Sequence, residues 1–165
     1  MKSGLTIRED NYSSVLDALK QLSGTDVLVG IPAGPPRDDA PLSNAELGYL
    51  QSTGATVEID GETVTLPPRP FLDMGIEDSR DKTTERLKLA AQSALEGKAD
   101  VAEQHLEAAG QIASSASKAV IGAGDRLTPL SEKTKAKRRK NGQDFKPLYD
   151  THSLMDSITY VVRKK

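Results

Sequence analysis

Three groups of side chains in this sequence are of types that could do chemistry. Asp150, His152 and Ser153 together supply a carboxylate, a base and a hydroxyl nucleophile. A nucleophilic site needs those groups to converge within hydrogen-bond reach, each orienting the next. Near-adjacent residues cannot wrap around one another to reach that geometry, and no Gly-x-Ser-x-Gly elbow is present. A polar turn leading into a strand is the expected reading. His105 falls in line with the apolar stripe of a helix, and neither a second histidine nor a carboxylate follows four residues on. That spacing predicts a packed, hydrogen-bonded histidine rather than a metal ligand. Asp38 and Asp39 could hold a cation, but adjacent carboxylates in a Pro-rich loop are expected to be solvated.

Phosphate-cradling loops fare no better. Gly30-Ile31-Pro32-Ala33-Gly34 follows a strand but lacks the third glycine, and its proline removes a backbone donor. Gly122-Ala123-Gly124 follows a helix instead. The chain has no cysteine and two histidines, which excludes disulfides, thiolate chemistry and Cys-containing zinc or iron–sulfur sites. No catalytic residue, cofactor or metal is therefore expected. A hydrolase would require one of His105, His152, Asp38 or Asp39 to be indispensable.

The third group is electrostatic. Lys133, Lys135, Lys137, Arg138, Arg139 and Lys140 place six cations in eight residues. Although the whole chain carries a net charge of −2, residues 1–125 sum to −9 and residues 126–165 to +7. The sequence therefore reads as an acidic body with a basic arm. Such a run can contact nucleic-acid phosphates in a salt-sensitive way, or reach an acidic surface on a neighbouring subunit. No aromatic residue is interleaved with it, which argues against a platform for stacking bases.

The elements that must position these groups can be read from periodicity and punctuation. Val15, Ala18, Leu19 and Leu22 form one stripe of a short helix ended by Gly24, and Asp26–Pro32 reads as a strand. Residues 33–41 are a Pro-rich loop. Ser43 and Glu46 have capping-box spacing at the head of a second helix that Gly54 ends. Alternation on both sides of Asp60-Gly61 predicts a hairpin over Val57–Leu66. Pro67-Pro68-Arg69-Pro70 then forms a rigid crossover, with Phe71 anchoring the following helix to the sheet.

Residues 76–121 read as a long Ala-rich helix broken at Gly97. Residues 125–150 show no apolar periodicity and are expected to be an extended basic arm. Asp150 and Thr151 should form the turn that aims a last strand, Ser157–Val162, back to a sheet begun a hundred residues earlier. The expected fold is one α+β domain over residues 1–165, with a small mixed or antiparallel sheet packed on the long helix. Tryptophan is absent and aromatics are only 4% of the chain, so the core is expected to be thin and to be completed by neighbouring subunits. The apolar runs are too short to span a bilayer, and the N-terminus shows no export signal.

Four stretches, taken in order, resemble a known family. They are Val29-Gly30-Ile31-Pro32; Asn44-Ala45-Glu46-Leu47-Gly48-Tyr49 with Gly54; Leu66-Pro67-Pro68-Arg69-Pro70-Phe71-Leu72 ahead of a long helix; and Pro147-Leu148-Tyr149-Asp150-Thr151-His152-Ser153-Leu154-Met155-Asp156-Ser157-Ile158 ahead of a terminal strand. Over residues 25–162 the chain is similar to small neck proteins of tailed bacteriophages, known as tail-component, tail-completion or virion-morphogenesis proteins. Two departures stand out. That family commonly continues the short helix into an aromatic or His-Glu-Phe-Gly pattern, where this chain has Tyr49–Gly54, and it often has glycine at the position of His152.

The resemblance implies a non-catalytic virion subunit, made in the host bacterial cytoplasm, that assembles into a ring, usually a hexamer. Its partners would be the head-side connector or adaptor and the tail-tube or tail-terminator proteins. Genome DNA would pass through the lumen without sequence-specific binding. On this reading Pro68, Arg69, Pro70, Phe71, Asp150 and Thr151 are structural anchors, and Lys133, Lys135, Lys137, Arg138, Arg139 and Lys140 form an arm lying between subunits or close to DNA. The alternative is a small nucleic-acid-binding module that uses the basic loop 133–140.

Overall fold

The computed structural model describes residues 11–38, 41–59, 61–149 and 152–165. The fold is α+β. Helix α1 (Tyr12–Ser23) leads into strand β1 (Thr25–Gly30), and helix α2 (Asn44–Thr53) precedes the hairpin of β2 (Ala55–Ile59) and β3 (Glu62–Leu66). Two long helices follow, α3 (Phe71–Leu95) and α4 (Ala99–Ala123). Then come α5 (Glu132–Lys140), the single turn α6 (Ser153–Asp156) and β4 (Thr159–Lys164). The strands form two separate antiparallel pairs rather than one sheet. In one, β4 returns to β1 with Val27 opposite Val162 and Val29 opposite Tyr160. In the other, β2 faces β3 with Val57 opposite Val64.

Local chemistry accounts for most boundaries. The Ser43 hydroxyl accepts from the Glu46 N–H at 3.3 Å while a Glu46 carboxylate oxygen accepts from the Ser43 N–H at 2.8 Å, closing the expected capping box. The break in the long helix falls at Glu96-Gly97-Lys98, where Gly97 takes φ +76. Helix α3 begins at Phe71, five residues before its apolar pattern becomes legible at Ile76. Pro70 presets the chain there, and its carbonyl accepts the first helical bond from the Met74 N–H at 3.0 Å.

Helices α3 and α4 pack side by side through small residues. Gly75, Ser79, Ala90 and Ser93 on α3 are buried, as are Ala109, Ala113, Ser114 and Ser117 on α4. The β1–β4 pair lies on α4, and the Tyr160 ring covers Gly110. Larger side chains gather at one end, where Phe71, Val120, Ile121, Leu127, Leu154 and Ile158 form the buried cluster. Phe71 is 0% exposed at its centre, packed with residues of α4, α6 and the adjoining loops rather than against a sheet as expected.

The extended arm needs correction. Residues 132–140 are a helix, although they carry no apolar stripe. Ser131 caps the N-terminus by accepting from the Thr134 N–H at 3.2 Å. Glu132 lies in the first turn and Lys137, Arg138, Arg139 and Lys140 in the last. That distribution complements the helix dipole at both ends, which a search for apolar periodicity does not register. Asp150, Thr151 and Asp39 lie outside the described residues.

Candidate assembly interface

The segment carrying α5 is held to the body by a buried arginine. The Pro67–Pro70 crossover delivers Arg69 inward, where the residue is 5% exposed. Its Nε donates to the Thr128 carbonyl at 2.7 Å, Nη1 to Gln51 Oε1 at 3.0 Å and Nη2 to the Pro129 carbonyl at 3.1 Å. Its own N–H donates to the Gln51 carbonyl at 2.8 Å. In return the Thr128 hydroxyl donates to the Pro68 carbonyl at 3.1 Å. One planar fork thus joins the end of α2, the crossover and the approach to α5, a geometry lysine cannot supply. Burial, and then the neighbouring Arg138 guanidinium, pushes the Arg69 pKa down from its ordinary value.

Two further contacts fix the same approach. Leu127 is buried in the core. Arg126 donates through both Nη1 and Nη2 to the Asp78 carboxylate on α3, with the Nη1 bond at 3.1 Å. This bidentate pair lowers the Asp78 pKa and raises that of Arg126. Neither residue stands out in the sequence, because their partnership spans an entire helical hairpin.

The six cations expected to act as one arm are divided by the fold. Arg138 is half-buried and its Nη1 donates to the Asp144 and Lys146 carbonyls at 2.9 and 3.0 Å, so it shapes the turn after α5. Lys135 pairs with Glu132 at 2.7 Å. Arg139 lies over the Phe145 ring, 5.8 Å from its centre. Lys133 reaches Glu62 on the hairpin at 3.0 Å, yet its side chain stays 87% exposed. Lys133, Lys137 and Lys140 form one outward stripe at i, i+4 and i+7. Between α5, the hairpin and the end of α2 lies a cleft of about 430 Å³, with Leu47, Leu66, Leu130 and Leu154 among its lining and Arg37, Arg69 and Arg138 at its polar positions.

Among the described residues, Ser153 and His152 do not pair with each other. The Ser153 hydroxyl donates to Asn44 Oδ1 at 3.3 Å and accepts from Nδ2 at 3.2 Å, so its partner is an amide rather than His152. The His152 ring is exposed and meets Tyr149 edge-on, with centroids 4.2 Å apart. His105 is half-buried, with Nδ1 3.4 Å from Arg86 Nη1. Asp38 is exposed. Among the described residues there is no group of three or more His, Cys, Asp or Glu that could hold a metal ion, and no helix is long and apolar enough to cross a membrane.

Residues from the four stretches singled out in the sequence do converge. A Cβ on Gly48 would lie 2.7 Å from Ile31 Cδ1, 3.5 Å from Leu154 Cδ1 and 3.8 Å from Phe71 Cζ. Each of those contacts comes from a different one of the four stretches. Asn44 and Ser153, described above, join two of them a second time. No protein-family model, curated protein or solved structure matches the chain.

Proposed function

We propose that this chain is a non-catalytic structural subunit of the neck or tail of a tailed bacteriophage, assembling as a ring that completes the tail or joins it to the head-side connector. The observation that carries this reading is the packing around Gly48. Four short stretches, separated by up to more than a hundred residues, resemble the neck-protein pattern, and their residues Ile31, Gly48, Phe71 and Leu154 touch at one point. The four stretches are thus parts of one packed unit. The backbone at His152 adds support: it takes φ +59, a left-handed conformation that glycine adopts most readily and that suits the glycine often found there in that family.

The surface chemistry is compatible with assembly. The exposed lysine stripe on α5 and the acidic body offer complementary charge, and a rotationally repeated contact multiplies modest pairwise interactions. The test is the mass of the purified protein by light scattering at low and high salt, with electron microscopy of any large species. Closed rings with a central opening are the expected result. A monomer under all conditions that binds duplex DNA with a salt slope near three, as about three phosphate contacts from the outward lysines would give, overturns the reading. The small nucleic-acid-binding module would then stand in its place.

A further inference from the structure

We infer that the lysine stripe of α5 docks on the N-terminal half of α4 in a second copy of this chain, making the contact between copies head-to-tail. The inference rests on the self-assembly reading above and assigns the two surfaces that meet. On α5, Lys133, Lys137 and Lys140 point outward, and the one acid of that helix, Glu132, is already held by Lys135. Like charges at i, i+4 disfavour a helix on its own, so this stripe lacks compensation within its element. On α4, Asp100 and Glu103 are exposed and Glu107 is half-buried, and together with Gln104, Ala108 and Gln111 they line a shallow groove of about 490 Å³. No lysine or arginine occurs between Lys98 and Lys118. Lys98 itself is taken by Glu96 at 2.8 Å. Glu107 also accepts from the Tyr160 hydroxyl. Glu103 borders a second cleft near Lys164 and Lys165, where Lys165 is held by Asp26 at 3.0 Å.

The spacings of the two stripes match. Along α5 the lysines are separated by four residues and then three, about 6 and about 4.5 Å of helical rise. Read backwards along α4, Glu107, Glu103 and Asp100 have the same separations. Laid antiparallel, Lys137 faces Glu103 and Lys140 faces Asp100, while Lys133, which reaches Glu62 of its own copy, comes level with Glu107, which Tyr160 already engages. The pairing is out of reach within one copy. Glu107 lies about 24 Å along α4 from Ala123, the end from which the chain continues to α5, and the approach to α5 is held to the crossover by Arg69 through the Thr128 and Pro129 carbonyls. A contact between two different patches is heterologous, and repeated it generates a ring where the rotation closes and a filament where it does not. Each exposed ion pair contributes little singly and is screened by salt, so the contact should be cooperative and salt-labile.

The test is charge exchange, read by light scattering at low salt. Lys137→Glu/Lys140→Glu and Asp100→Lys/Glu103→Lys should each weaken association by about tenfold or more per contact. All four positions are exposed, but Lys137 and Lys140 lie in the last turn of α5 and Asp100 in the first turn of α4, so circular dichroism and the neutral pair Lys137→Gln/Lys140→Gln, which should also weaken association, separate a lost contact from a lost helix. The chain carrying all four substitutions should regain the wild-type mass. An equimolar mixture of the two defective variants should do so as well, because alternating copies restore opposite charge at every contact. If the wild type forms rings and the variants do too, this inference fails while the ring reading stands. Should the wild type form no assembly at all, both fail. Lost duplex-DNA binding in Lys137→Glu/Lys140→Glu with unchanged assembly would assign α5 to nucleic acid and overturn the proposal.

Discussion

Gly75 on α3 lies so close to Ser117 on α4 that a Cβ at position 75 would sit 2.4 Å from the Ser117 Cα. The neighbour is backbone and cannot swing aside, so any side chain there must separate the two helices. The Ser117 hydroxyl meanwhile donates to the Ala113 carbonyl at 3.1 Å and lies 3.5 Å from the Leu72 carbonyl across the interface. Gly75→Ala would gain up to about 1 kcal/mol of helix propensity at an open site. Here it should instead destabilise by about 1–3 kcal/mol through overpacking. Urea unfolding measures the sign, and a stabilised variant would contradict this packing.

The seat of the β1–β4 pair on α4 depends in the same way on Gly110. A Cβ there would lie 2.3 Å from Tyr160 Cδ2. Gly110→Ala should cost about 1–3 kcal/mol. Because the obstacle is a side chain, the cost should shrink in a Tyr160→Ala background, giving a coupling of at least about 0.5 kcal/mol in a double-mutant cycle. Additive effects would mean that the ring is not what Gly110 accommodates.

Arg69→Lys retains the charge and loses the fork. Three bonds, to Thr128, Gln51 and Pro129, reduce to one at most, with an expected cost of about 2–4 kcal/mol. Hydrogen exchange should show loss of protection in α5, since Arg69 anchors its approach. Lys137→Gln on the exposed stripe should leave stability within about 0.5 kcal/mol. Equal behaviour of the two variants would refute the division of roles among these cations.

Acid should unfold the chain from identifiable groups. The Asp26 pKa is lowered by hydrogen bonds from Lys165 and then Arg163, that of Asp78 by Arg126, and that of Glu46 by the Ser43 N–H and hydroxyl. A carboxyl whose folded pKa is depressed contributes stability above its unfolded pKa and loses it as pH falls through the folded one. Stability should therefore hold between about pH 7 and about pH 5 and decline below about pH 4.5. Asp78→Asn should flatten that decline in a pH series of thermal melts. An unchanged slope would remove the Arg126 pair from the account.

Much of this protein was legible as sequence because the signals are local. Gly24 and Gly97 mark helix ends, Ser43 and Glu46 form their capping box, and Gly61, at φ +78, sits where β2 turns back into β3. The return of the last strand to the first followed from element order and the need to bury a β-rich segment. Phe71 was legible as a buried residue because prolines leave an apolar residue at the start of a helix, but what it packs against was not.

What the tertiary structure alone decided is non-local. No period reveals that Arg126 will meet Asp78, that Arg69 will be buried against carbonyls about sixty residues away, or that Gly75 is the point where two helix backbones nearly touch. Helix α5 was missed because its support is capping and dipole chemistry, while apolar periodicity reports only helices that bury a face. The basic run was visible by composition. Which of its cations turn inward, and which remain as an outward stripe, depended on the turn that Arg138 closes and on the surface against which the helix came to rest.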